Sequence, residues 1–162
     1  MASIFEITRS LAMESWGQIE LAAEHAMRNT IETRRMQVVA PAAVTSRMVV
    51  ALVPAGLRYQ VAPGVNADIE FEGVACQDIA GGSWGLVRLV GEAEVLLEAA
   101  TAVAPACDTD LYMSVGEAGR VVAGAGNGVI VGKVIDNSMF VAGTFPVVKV
   151  VLRFCCGVRG PG

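Results

Sequence analysis

The chain has 162 residues and a mass of 16.9 kDa, enough for one compact domain or a domain with an arm. Its composition, 54% hydrophobic and 17% charged, lies on the apolar side of ordinary usage, so a core forms and apolar surface remains for subunit contacts. A net charge of −4 argues against a nucleic-acid partner, and no apolar window is long enough for a membrane helix.

Residues 1–14 mix apolar and polar side chains without a firm period and read as an extended arm. They lack the basic and apolar regions of a signal peptide. Residues 15–36 read as a helix: Ser15 and Gln18 fit a capping box, and Trp16, Ile19, Ala23, Ala26 and Met27 share one face.

From residue 37 to 156 the texture is that of a β domain. Short Val-, Ile- and Leu-rich runs alternate with Gly, Pro, Asp and Asn turns. The runs cover 36–40, 47–53, 57–62, 68–77, 84–97, 110–115, 120–123, 128–136 and 145–154. This spacing predicts a mainly β barrel or sandwich. Residues 157–162 read as a flexible tail.

An internal repeat sharpens the reading. Gly73-Val74-Ala75 recurs as Gly132-Lys133-Val134, and Val87-Arg88-Leu89 as Val150-Val151-Leu152. Looser matches join Ala43-Val44 to Ala102-Val103, Gly56 to Gly119, and Gly81 to Gly143. All five keep their order at offsets of 59–63, which divides the domain into two similar β units at about 43–97 and 102–154. Paired across a pseudo-twofold, two such units would close one core.

Motifs that could carry chemistry fail on their surroundings. Gly81-Gly82-Ser83-Trp84-Gly85 has the form of a nucleophile elbow, but a strand-like run follows it, and the lone His25 lies upstream of Ser83. Residues 124–133 resemble a phosphate loop, yet Asn127 and Val134 stand where glycine and Ser or Thr belong. His25 among glutamates is not a metal site, and Asp108, Asp110 and Glu117 do not have calcium-loop spacing. Asp68, Glu70 and Glu72 alternate as a strand's polar face, with Ile69 and Phe71 turned inward. Of the four cysteines, Cys76 and Cys107 read as small apolar fillers, and Cys155 and Cys156 as part of a frayed terminus. No catalytic group, metal or cofactor is expected.

GVACQDIAGGSWGLVRLVGEAEV, AVAPACDTDLYMSVGEAGRVV and the closing runs GVIVGKVID and VVKVVL resemble a Gly/Ala/Val-rich family of capsid decoration (cement) proteins of tailed bacteriophages. The similarity spans about 42–152, stops short of residues 1–36, and departs from the family pattern at Cys107-Asp108-Thr109. It implies a structural virion protein, made in the host cytoplasm and carried on the outer capsid surface. Its implied partners are the major capsid protein and its own copies, in a homotrimer. Residues 1–14 have a composition suited to adding a strand to a shell's sheet edge, so Ile4, Phe5, Ile7 and Leu11, with Trp16 at the base, are the candidate capsid contacts. The alternative is a β domain that binds a small ligand or carbohydrate, which would require exposed aromatics.

Overall fold

The computed structural model describes residues 32–65, 71–124 and 129–152. Ten strands fill them, with no helix among the described residues. β1 spans Glu32–Val38, β2 Val49–Leu52, β3 Gln60–Pro63, β4 Phe71–Ala75 and β5 Trp84–Val90. β6 spans Glu92–Leu96, β7 Asp110–Met113, β8 Val121–Ala123, β9 Ile130–Ala142 and β10 Phe145–Leu152. Every β-rich run of the sequence overlaps a strand. The helix read over 15–36 is corrected at its end, because Glu32–Met36 are strand; residues 15–31 lie outside the described residues. Thr33, Arg35 and Gln37 alternate with the buried Met36 and Val38, a period that suits a strand better than a helix.

The run 84–97 divides into two strands at Gly91, whose φ of 101° is one that side-chain-bearing residues rarely adopt. That break also divides the fold. β1–β5 form a closed barrel in the order β1-β3-β2-β4-β5, and β6–β10 form a sheet in the order β6-β10-β9-β7-β8. Here the first five strands are called the first repeat and the last five the second.

Both repeats share one topology down to the register. β1 pairs β5 with Arg35 opposite Leu86, and β6 pairs β10 with Glu94 opposite Lys149. Leu52 faces Val61 as Met113 faces Val121. Val49 faces Val74 as Asp110 faces Lys133, and each of these pairings carries a bulge one residue later. The turns before β2 and β7 match too: Met48 N–H donates to Thr45 and Thr109 N–H to Ala106, with Arg47 and Asp108 both at positive φ.

The repeated glycines have one physical cause. A Cβ at Gly73 would run into the Arg88 carbonyl oxygen, and one at Gly132 into the Val151 carbonyl oxygen. Both strand pairs need a bare backbone at that crossing. The structural boundary falls at Gly91, so β6, which the sequence matches placed with the first copy, belongs with the second. The loosest match dissolves: Val44 is buried, whereas Val103 is exposed.

Two cores result where one shared core was expected. Met36, Val38, Val50, Val61, Val87 and Leu89 fill the barrel. Val95, Leu97, Leu111, Val121, Val134 and Val150 fill the second repeat. Burying each such side chain contributes about 1.5–3 kcal/mol. β2 and β4 are covered on both faces. Val50 and Ala75 point into the barrel, while their neighbours Val49 and Val74, together with Phe71, join the second repeat's core.

Candidate docking surface

The difference between the two repeats lies at one seam. In the first, parallel β1 and β3 close the barrel, with Gln37 N–H donating to the Tyr59 carbonyl at 2.8 Å. The matching residues in the second repeat are Leu96 and Gly119, and they do not meet in this way. Leu96 N–H donates to the Arg47 carbonyl (3.2 Å), and the Gly119 carbonyl accepts from Val49 N–H (3.1 Å). The start of β2 is thus wedged into the second repeat's seam, which keeps a single parallel bridge, Leu97 to Val121.

The wedge fixes its surroundings. Met48 lies against Gly119, where any Cβ would collide with its side chain. The Met113 sulfur packs on Gly64, whose carbonyl accepts from Gly119 N–H at 2.8 Å. Arg47, held at φ 71°, sends its Nε to Glu94 at 2.7 Å and places its guanidinium 5.6 Å from the Phe140 ring centroid. A cleft of about 440 Å³ lies beside the wedge, lined by Arg47, Cys76, Arg88, Glu92, Glu94 and Lys149. Within it Arg47 meets Glu94, and Arg88 Nη1 donates to the Glu92 carbonyl at 2.8 Å. This arrangement joins the two repeats.

On the closed seam of the first repeat the same location faces solvent. Tyr59 and Trp84 stack there, with centroids 5.1 Å apart and planes 25° from parallel. A chain of side-chain amides supports them. Gln60 Oε1 accepts from Leu57 N–H (3.0 Å), Gln60 Nε2 donates to Gln37 Oε1 (3.3 Å), and Gln37 Nε2 donates to the Gly82 carbonyl (3.1 Å). Three segments are therefore tied together beneath the ring pair. Leu86 extends the apolar face along β5 with exposed Arg35 opposite it, and exposed Leu57 and Arg58 directly precede Tyr59 in the chain.

The sequence candidates fall elsewhere. Ile4, Phe5, Ile7, Leu11 and Trp16 lie outside the described residues, as do His25, Asp68, Ile69, Glu70, Asn127, Cys155 and Cys156. Ser83 sits in the turn before β5, where its carbonyl accepts from Val38 N–H and its amide donates to Ala80. Lys133 lies on β9, 4.0 Å from Asp110, and Glu117 accepts from Ala99 N–H. Asp108, Asp110 and Glu117 therefore serve separate local contacts. No His, Cys, Asp or Glu cluster among the described residues could hold a metal ion. Cys76 and Cys107 are exposed, which corrects their reading as core fillers. Phe71 is buried as expected, although in the second repeat's core.

Sequence reasoning missed the wedge and the aromatic platform. The signal was Tyr59 and Trp84 at positions where the second repeat has Gly119 and Val147, visible only once the repeat is in register.

Arg120 is a second oddity. It is buried, with its guanidinium carbon 3.6 Å from the Phe145 ring centroid, and Nε and Nη1 have no acceptor among the described residues. Burial lowers its pKa and Glu117 opposes that shift.

No protein-family profile and no curated protein matches the chain. Among solved structures, the head fiber gp8.5 N base of bacteriophage phi29 shares the fold, with a TM-score of 0.52 and 13% identity. The likeness covers 76% of this chain and 95% of that one.

Proposed function

We propose that this chain is a structural, non-enzymatic protein of a tailed-phage head, which binds the outer surface of the capsid shell and stabilises it against the pressure of packaged DNA. The observation that carries this reading is the shared fold with the phi29 head fiber base across nearly all of that domain. The sequence resemblance to capsid decoration proteins supports it from a separate direction. A head protein of this kind acts through surfaces, and the described residues offer a two-repeat body with an exposed aromatic pair. The partners are the major capsid protein and further copies of the chain in a homotrimer, whose several weak contacts add up through avidity. Residues 1–14 supply the anchor.

The test is co-sedimentation with expanded shells of the phage whose genome encodes the chain, followed by heating of the decorated shells. Saturable binding and a raised shell disruption temperature are expected. Light scattering of the free protein should give three times 16.9 kDa. Deleting residues 2–14 should weaken shell binding and leave the β domain folded. Failure of the intact protein to bind any shell form would refute the reading.

A second reading, carbohydrate binding, is favoured by one observation, the exposed Tyr59–Trp84 stack. Soluble polysaccharides that quench Trp84 emission would support it.

A further inference from the structure

We propose that the Tyr59–Trp84 platform of the first repeat is a docking site for a shell subunit that presents an apolar side chain ringed by carboxylates. This rests on the phage-head reading and assigns that contact to specific residues outside the N-terminal arm.

Tyr59 and Trp84 stack, Leu86 lies two residues after Trp84 on the exposed face of β5, and Leu57 lies two residues before Tyr59; Leu57 is 55% exposed, Tyr59 38%, Trp84 44% and Leu86 43%. Large apolar side chains grouped at this exposure mark an interaction surface. Tyr and Trp flanked by Arg is also the composition of interface hot spots. The amide chain from Leu57 through Gln60 and Gln37 to Gly82 holds the platform in place before any partner arrives. Little ordering entropy is then lost on docking.

The fold itself indicates what the seam is for. In the second repeat the matching location is occupied by polypeptide, the Arg47–Val49 wedge. In the first repeat the backbone groups are already paired, since Gln37 N–H is taken by Tyr59, so no strand can be inserted there. A partner must dock by side chains on the stacked rings.

The equivalent segment of a second copy is a poor occupant. Its apolar wedge is used within its own chain, and the counterpart in its second repeat is Asp108-Thr109-Asp110, with Asp110 beside Lys133. That stretch offers no large apolar side chain to seat on the rings.

Charge selects among foreign partners. Exposed Arg35 and Arg58 have no ion-pair partner among the described residues. Carboxylates around an apolar plug would meet them at the rim, which governs orientation and encounter rate.

The experiment is co-sedimentation of the full-length chain with expanded shells, comparing wild type, Trp84→Ala, Leu86→Glu and Arg35→Glu/Arg58→Glu. Each variant is checked for an unchanged thermal midpoint. Trp84→Ala and Leu86→Glu should each weaken shell binding at least ten-fold. The double charge reversal should weaken it at low salt, with the deficit shrinking as salt rises. Wild-type binding with unaffected variants overturns this inference and leaves the head reading standing, whereas no wild-type binding removes both. Loss of self-association in Trp84→Ala, with shell affinity of the remaining species intact, reassigns the platform to copy–copy contact and overturns the proposal. A response of Trp84 emission to soluble dextran, with shell affinity of Trp84→Ala unchanged, reassigns it to sugar and overturns it equally. Should Leu86→Glu fail to fold, Trp84→Ala and the arginine pair still decide.

Discussion

The two repeats share strand order, register, bulges and turns, yet one closes on itself and the other closes around its neighbour. The first has Tyr59 and Trp84 at its seam and Val49–Val74 on the outer face of β2 and β4. The second has Gly119 and Val147 at the seam, and Asp110–Lys133 in place of the valine pair. Two local exchanges thus set the assembly. Where the first repeat has Tyr59 the second has Gly119, and Met48 of the other repeat packs against it. The ion pair makes the second repeat unfit to serve as a wedge in turn, so the contact runs in one direction and stops. An isologous pairing would place equivalent residues on both sides. Here Val49 meets Gly119, while its counterpart Asp110 stays near Lys133, which rules out the pseudo-twofold expected from the repeat.

Exchanging the pairs breaks this asymmetry most severely. Val49→Asp places a carboxylate in the second repeat's core, and the expected loss is about 4 kcal/mol or more, read by urea unfolding. The reverse exchange, Asp110→Val with Lys133→Val, removes a partly exposed ion pair and should change stability by less than about 1 kcal/mol. Equal effects from the two exchanges would mean that the wedge is not buried as described.

Glycine substitutions sharpen the comparison at the next level. Gly73→Ala and Gly132→Ala should each cost about 1–3 kcal/mol, because both Cβ atoms meet a carbonyl oxygen and the backbone must shift. Their similarity tests the repeat. Gly119→Ala should cost about 1 kcal/mol or more, since φ is 77° and Met48 leaves no room. At the first repeat's equivalent, Tyr59→Gly should leave the fold intact and remove the stacked platform. Unfolding midpoints of the four variants decide between these outcomes.

How much of this was legible follows from range. Strand identity is local, and alternating Val-rich runs with Gly turns marked most strands, although β1 was read mostly as helix and β5 and β6 as one run. The repeat was visible because Gly73 and Gly132 answer the same backbone crossing. Its phase was not, since a repeat of five strands in sequence can be cut between any two of them, and only the φ of Gly91 and the sheet pairing set the cut. The wedge depends on contacts between residues 47–49 and 96–119, which no periodicity encodes. Trp84 was read as part of a failed catalytic motif, because its stacking partner Tyr59 lies in another strand's approach.

The smallest effect concerns charge on the outer face of the second repeat. Lys149 lies opposite Glu94 on one side and Asp136 on the other, whereas the first repeat has Leu86 opposite Arg35. Asp136 is held below its ordinary pKa of 3.8, first by the Ser138 backbone N–H at 2.8 Å, then by the Ser138 side chain, with Lys149 adding a little. A carboxyl with a lowered folded pKa adds stability above its unfolded pKa. That contribution fades as pH falls through the unfolded and then the folded value. Asp136→Asn should therefore lower the urea midpoint slightly at pH 7, and the gap to wild type should close below pH 3.8. The group is fully exposed, so screening keeps the effect small and added salt should trim only the Lys149 share, leaving the Ser138 hydrogen bond. A gap that persists unchanged into acid would mean that Asp136 acts through the shape of the β9 strand and not through its charge.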